Sequence, residues 1–205
     1  MKPIFSRNPD IDKMAFLNWR FSEEGNIHNL LNLADGFLLS ALELSTQCLI
    51  NNDGKRADIL IFPILTNANH GIELYLKAIN WMLNKLTNSN MKIEGKHNIK
   101  QLFETVRSKA KKYRGLQKVN FDEENKELKD YIVELFSKIN ATSQNDRMDF
   151  SRYPFSTNYE NHFYVTQMGN EVIDLEIFNS SFKIIRQKLE LLSDYLYYHE
   201  LAQTE

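Results

Sequence analysis

The run Phe62 to Leu83, FPILTNANHGIELYLKAINWML, constrains the fold of this chain more than any other segment. At about 100° per residue, Ile72, Leu74, Tyr75, Leu76, Ala78, Ile79, Met82 and Leu83 fall on one broad arc. Asn69, His70, Glu73, Lys77, Asn80 and Asn84 fall on a narrow opposite face. So wide an apolar arc requires neighbouring helices on most sides. The spacing predicts a helix over 57–86. Pro63 lacks a backbone donor, so it belongs in a first turn or at a kink. Gly71, about 1 kcal/mol poorer than Ala in a helix, fits where another helix packs closely.

Four more helices are expected. Leu30, Leu31, Leu33, Phe37, Leu38, Leu42, Leu44 and Cys48 recur every three or four residues and predict a helix over 26–50. Asn51-Asn52-Asp53-Gly54 stops it. Leu102, Phe103 and Val106 predict a helix over 99–113. Leu128, Ile132, Leu135, Phe136 and Ile139 predict another over 122–139, where Asp122, Glu123 and Glu124 complement the helix dipole. Ile184, Ile185, Leu189, Leu192 and Leu196 predict the last, over 179–199. Between these, HFYVTQ and EVIDLEI are rich in β-branched and aromatic residues and flank Met168-Gly169-Asn170, which reads as a β-hairpin. The expected fold class is mainly α: an up-and-down antiparallel bundle of about five helices, with one small β-hairpin (about 159–177) inserted before the last helix. Residues 1–25 are an expected N-terminal extension with a short helix from Asp12 to Trp19, and 26–200 the bundle.

Composition bounds function more by exclusion than by direction. With 25 Lys and Arg against 27 Asp and Glu, the net charge is −2, so bulk charge draws the chain neither to nucleic acid nor to a membrane. The outer face of the third helix is locally basic, with Lys100, Arg107, Lys109, Lys111, Lys112 and Arg114. That cluster reads as a solvated face before it reads as an RNA patch. The one cysteine, Cys48, has no partner for a disulfide and sits in an apolar stretch. The N-terminus lacks an apolar signal segment, and no uninterrupted apolar run reaches the roughly 20 residues of a membrane span. The expected location is the cytoplasm.

Chemistry-bearing motifs are few. There is no Gly-x-Ser-x-Gly, no Walker A loop and no Gly-rich nucleotide loop. His70 and Glu73, three apart on one helix, reverse the Glu-x-x-His order of di-iron bundles, and matching carboxylates are missing, so no metal and no cofactor are expected. The polar face of the second helix is either solvated or one wall of a groove. A groove would bring Asn69, His70, Glu73 and Lys77 to His97 and to the Arg152-Tyr153-Pro154 turn. There Arg152 would pair with Glu73, contact a phosphate or anchor its own loop.

Taken in order, His70-Gly-Ile-Glu73-Leu74-Tyr75-Leu76-Lys77, Gly95-Lys-His97-Asn-Ile99 and Arg152-Tyr153-Pro154 resemble bacterial members of the HEPN superfamily over about residues 26–200. The resemblance implies an all-α bundle, often dimeric, in defence or toxin–antitoxin settings. Many HEPN proteins are metal-independent ribonucleases with an Arg-x(4–6)-His motif. Here the nearest pairs, Arg20–His28, Arg152–His162 and Arg186–His199, have seven, nine and twelve residues between them. The expected function is therefore a non-catalytic HEPN-like module, a homodimer, that binds RNA, a nucleotide or a protein partner. Its binding residues would be Asn69, His70, Glu73, Lys77, His97, Arg152 and Tyr153. One alternative is a divergent ribonuclease using His70, His97 and Arg152. Another is a scaffold that uses the hairpin as an interaction edge.

Overall fold

A computed structural model describes residues 2–23, 25–91, 97–140, 148–156, 158–166 and 171–203. The chain is mainly helical. Its α-helical segments are α1 (Asn26–Ile50), α2 (Ala57–Leu86), α3 (Ile99–Lys112), α4 (Phe121–Glu124), α5 (Lys126–Asn140), α6 (Phe163–Thr166) and α7 (Leu175–Asp194). A π-helical turn, Tyr195–Glu200, extends α7. The N-terminal segment holds a 3-10 turn at Ile11–Lys13 in place of the helix expected from Asp12 to Trp19.

An antiparallel pair, α1 and α2, forms the centre. The turn between them is built from side chains that mimic backbone acceptors. Asn52 Oδ1 accepts from the Ala57 amide at 2.9 Å and Asn51 Oδ1 from that of Asp53 at 2.8 Å, while Gly54 takes a positive φ of 62°. At Gly71 the two helices pack tightly. A Cβ there would lie 2.7 Å from Leu38 Cγ and 3.0 Å from Ala34 O and Leu38 N. One face of α1 is thus committed to α2 through Ala34, Leu38, Ala41 and Leu42, all buried. By length and composition α1 is also apolar enough to cross a membrane, at a mean hydropathy of 1.3. Scattered Asn, Ser and Thr hide this from a search for unbroken apolar runs.

The last long helix, α7, packs antiparallel on α1. Asn179 Nδ2 donates to Ser45 Oγ at 2.8 Å and Thr46 Oγ1 at 2.9 Å. Farther along, Arg186 Nε donates to Asp35 Oδ1 at 2.6 Å, and the Tyr75 hydroxyl reaches the same oxygen at 3.4 Å. Burial pushes the Tyr75 phenol well above its usual range, with the Asp35 charge adding to it.

Three expectations are corrected. First, the bundle is not antiparallel throughout. His97, just before α3, meets Glu73, while Lys109 near its end meets Asn84, so α3 runs parallel to α2. The long link between them, residues 87–98, has the reach to return along α2. Second, the helix expected over 122–139 is two. Asn125 leaves helical geometry (φ −116°, ψ 31°), and its side-chain amide donates to Phe121 O at 3.0 Å. This local bond competes with the helical ladder. Third, there is no hairpin strand among the described residues. Phe163–Thr166 is a helical turn, and α7 begins at Leu175, earlier than expected. Asp174 caps it, with Oδ1 accepting from the Glu176 and Ile177 amides at 2.9 and 3.0 Å. The β-like aromatics serve packing instead: Phe163 packs against Phe150 at a tilt of 47°, with centroids 5.7 Å apart. Met168-Gly169-Asn170 lies outside the described residues.

The Gly71 contact yields a stability test. Gly71→Ala gains about 1 kcal/mol of helix propensity. It forces a Cβ against the α1 backbone, however, and overpacking costs typically 1–3 kcal/mol. Thermal unfolding should show Tm reduced by several degrees. An unchanged or raised Tm would mean that the two helices separate without cost.

Candidate functional site

The polar face of α2 is covered. Asn69, Glu73, Asn80 and Asn84 are all buried, met by Tyr131, by His97 just before α3 and by Lys109 of α3. In the C-terminal half, Lys109 turns inward and donates to Asn80 Oδ1 at 2.9 Å and Asn84 Oδ1 at 2.5 Å. Asn84 Nδ2 in turn donates to Met91 O at 3.1 Å. The supposedly basic outer face of α3 loses Lys109 in this way. Arg107 and Lys111 are also engaged there: Asp122 accepts from Arg107 Nε and Nη2 at 2.5 and 2.8 Å and from Lys111 Nζ at 2.6 Å. Those two bonded cations hold the Asp122 carboxyl far below its usual range.

In the N-terminal half the organising group is Glu73, only 7% exposed. Its Oε1 accepts from Lys77 Nζ at 2.7 Å and pairs with His97 Nδ1 at 3.0 Å, while His70 Nδ1 lies 3.5 Å from Oε2. Burial by itself would raise the Glu73 pKa. Hydrogen bonds from His70 and Lys77, together with the charges of Lys77 and His97, outweigh it and hold the carboxyl at about 2. An ionised carboxylate only accepts, so Nδ1 of His97 carries the hydrogen facing Glu73. Its Nε2 is left for other chemistry.

His70, Glu73 and His97 line a cavity of about 230 Å³ together with Asn69 and Arg152. The sequence-predicted residues therefore divide into two sets. Asn69, His70, Glu73, His97 and Arg152 share the cavity wall. Lys77 acts from behind Glu73. Tyr153 stands apart, exposed, with its carbonyl accepting from the Tyr164 hydroxyl at 3.1 Å. Gly95 and Lys96 of the turn before His97 lie outside the described residues. Arg152 pairs with Asp149 (Nη2–Oδ1 2.7 Å), not with Glu73. Its turn is pinned to α2 by the Thr66 hydroxyl, 3.1 Å from Ser151 O and 3.0 Å from Ser151 Oγ. Arg186, on the helix where the Arg-x(4–6)-His motif would fall, is taken up by Asp35.

Sequence reasoning missed the apolar wall. Phe37 of α1 meets His70 edge-on, with centroids 4.5 Å apart at 80°. It looked like one more core position in a three–four repeat. Met148 completes the wall with a positive φ of 66°, unusual for a side-chain-bearing residue and found at sites where the surroundings enforce it. Nothing local in the sequence signals that. The Asp149–Arg152 pair gives the loop anchor expected of Arg152 a partner that was not named from the sequence. Among the described residues no group of three or more His, Cys, Asp or Glu is arranged to hold a metal. Comparison of the chain with protein-family models, curated proteins and solved structures gives no match.

The depressed Glu73 pKa fixes a pH dependence. A carboxyl at 4.5 when unfolded and about 2 when folded stabilises the protein fully above pH 4.5. That contribution, on the order of 3 kcal/mol, disappears as the pH falls from 4.5 toward 2. Glu73→Gln should lower Tm at pH 7 and flatten its slope over that acid range. Parallel Tm–pH curves for the two proteins would contradict this assignment.

Proposed function

We propose that this protein is a HEPN-like helical module that binds RNA or a nucleotide through phosphate contacts in the Glu73 cavity. One observation carries the reading: His70 and His97 both converge on Glu73 in a cavity that Arg152 also lines. The carboxylate is already answered by Lys77 and the histidines, so its charge is compensated, and Arg152 supplies donors to a ligand. Arg152 spends one nitrogen on Asp149 and has further N–H groups for an oxyanion. A homodimer in a bacterial defence or toxin–antitoxin setting is what the resemblance implies. Fluorescence anisotropy with a short single-stranded RNA should show binding that weakens as salt rises. The His70→Ala, Arg152→Ala double variant should lose at least about tenfold in affinity, or roughly 1.4 kcal/mol. Unchanged affinity in that variant, with the fold intact, would remove the cavity from the account.

A second reading has its own support, the carboxylate–imidazole pairing. A histidine held through Nδ1 by a carboxylate is oriented for proton transfer at Nε2. One histidine would take the proton from a ribose 2′-OH as that oxygen attacks phosphorus. The other would protonate the departing 5′-oxygen, leaving a 2′,3′-cyclic phosphate, and Arg152 would stabilise the charge developing on the phosphate. Gel assays should then show cleavage falling at least about a hundredfold in the His70→Ala, His97→Ala double variant. Equal cleavage by both proteins would rule this reading out.

A further inference from the structure

Phosphate contacts account for only part of the cavity. Phe37, Ile99 and Met148 form a wall that a phosphate group leaves uncovered. Met148 is held there in a left-handed backbone conformation, with φ 66°. Asn69, also in the wall, is 6% exposed. Its Oδ1 accepts from the Tyr131 hydroxyl at 2.7 Å, and its Nδ2 has no hydrogen-bond partner among the described residues. A buried N–H left unmet is costly, and an acceptor brought against the wall relieves it. An aromatic and thioether surface beside one amide donor, with His97 and Arg152 also in the wall, has the chemistry of a base seat next to a phosphate contact.

Resting on the reading that the cavity takes a phosphate-bearing ligand, we infer that it also seats one nucleobase. The ring lies against Phe37 and Met148, and a base carbonyl accepts from Asn69 Nδ2. The site therefore recognises a nucleotide unit and not the sugar–phosphate backbone alone. Phe37 comes from α1, Asn69 from α2 and Met148 from the Arg152 turn, so the seat exists only where these three segments meet.

Calorimetric titration with uridine 5′-monophosphate and with ribose 5-phosphate separates the two parts. The nucleotide should bind at least about tenfold more tightly than the sugar phosphate, a margin supplied by stacking and one hydrogen bond. Phe37→Ala should reduce that margin severalfold and leave ribose 5-phosphate binding unchanged. Asn69→Asp keeps an acceptor for Tyr131 but removes the N–H; since its carboxylate also repels phosphate, it should weaken binding of both ligands while still reducing the margin between them. Thermal unfolding of each variant checks its fold, and since Phe37 is partly exposed, that variant serves as the control if Asn69→Asp fails to fold. Equal affinities for the two ligands in the unmodified protein would overturn the base seat and leave the phosphate reading standing. Binding of neither ligand would overturn both.

Discussion

At Gly71 the α1 helix lies so near α2 that a single added carbon would strike Leu38 and the α1 backbone. The cavity depends on that proximity. One residue earlier, His70 meets Phe37 of α1, and two residues later Glu73 turns toward α3. The glycine therefore has two consequences. It lets the core pair close without a void, and it brings an aromatic ring from α1 to the edge of a polar cluster on α2. A larger residue at position 71 would move Phe37 away from His70 as well as loosening the core.

The second constraint is electrostatic. A carboxylate removed from water is tolerated when its lone pairs are met, and Glu73 meets this condition with a lysine behind it and two imidazoles beside it. Two other polar clusters also join helices. Asp35 gathers Arg186 and Tyr75 where α1, α2 and α7 meet, and Lys109 gathers Asn80 and Asn84 between α2 and α3. Each cluster joins helices distant in sequence and so fixes their register, which apolar contacts alone leave freer. Glu73 differs from the other two in bordering a cavity.

The long periodic segments were legible because burial repeats at helical spacing. The bounds of α1 and α2 are those expected from Leu30 to Cys48 and from the Phe62–Leu83 run. Direction was not legible. Nothing in the residues of α3 states that it runs parallel to α2, since that follows from where His97 lands. The β-like stretch misled for a physical reason: Phe163 buries its ring against Tyr164 without a sheet, and Val172 and Ile173 stay exposed in irregular backbone just before the Asp174 cap. At the site, the residues on one helix face could be grouped from sequence. Phe37 and Met148 could not, because their place in the wall is set by the packing of other segments.

The parallel course of α3 has a consequence for how this protein comes into being. The α1–α2 pair is local in sequence and can close once its own residues are made. The cavity needs Phe37, His70, His97 and Arg152 together, and the last of these lies in the final third of the chain. Loop closure over such separations comes late in folding. A nascent chain still emerging from the ribosome can hold its central helices in place while having no cavity at all. Whatever the cavity does is therefore withheld until synthesis has passed the Arg152 turn, a delay set by the order of the segments along the chain.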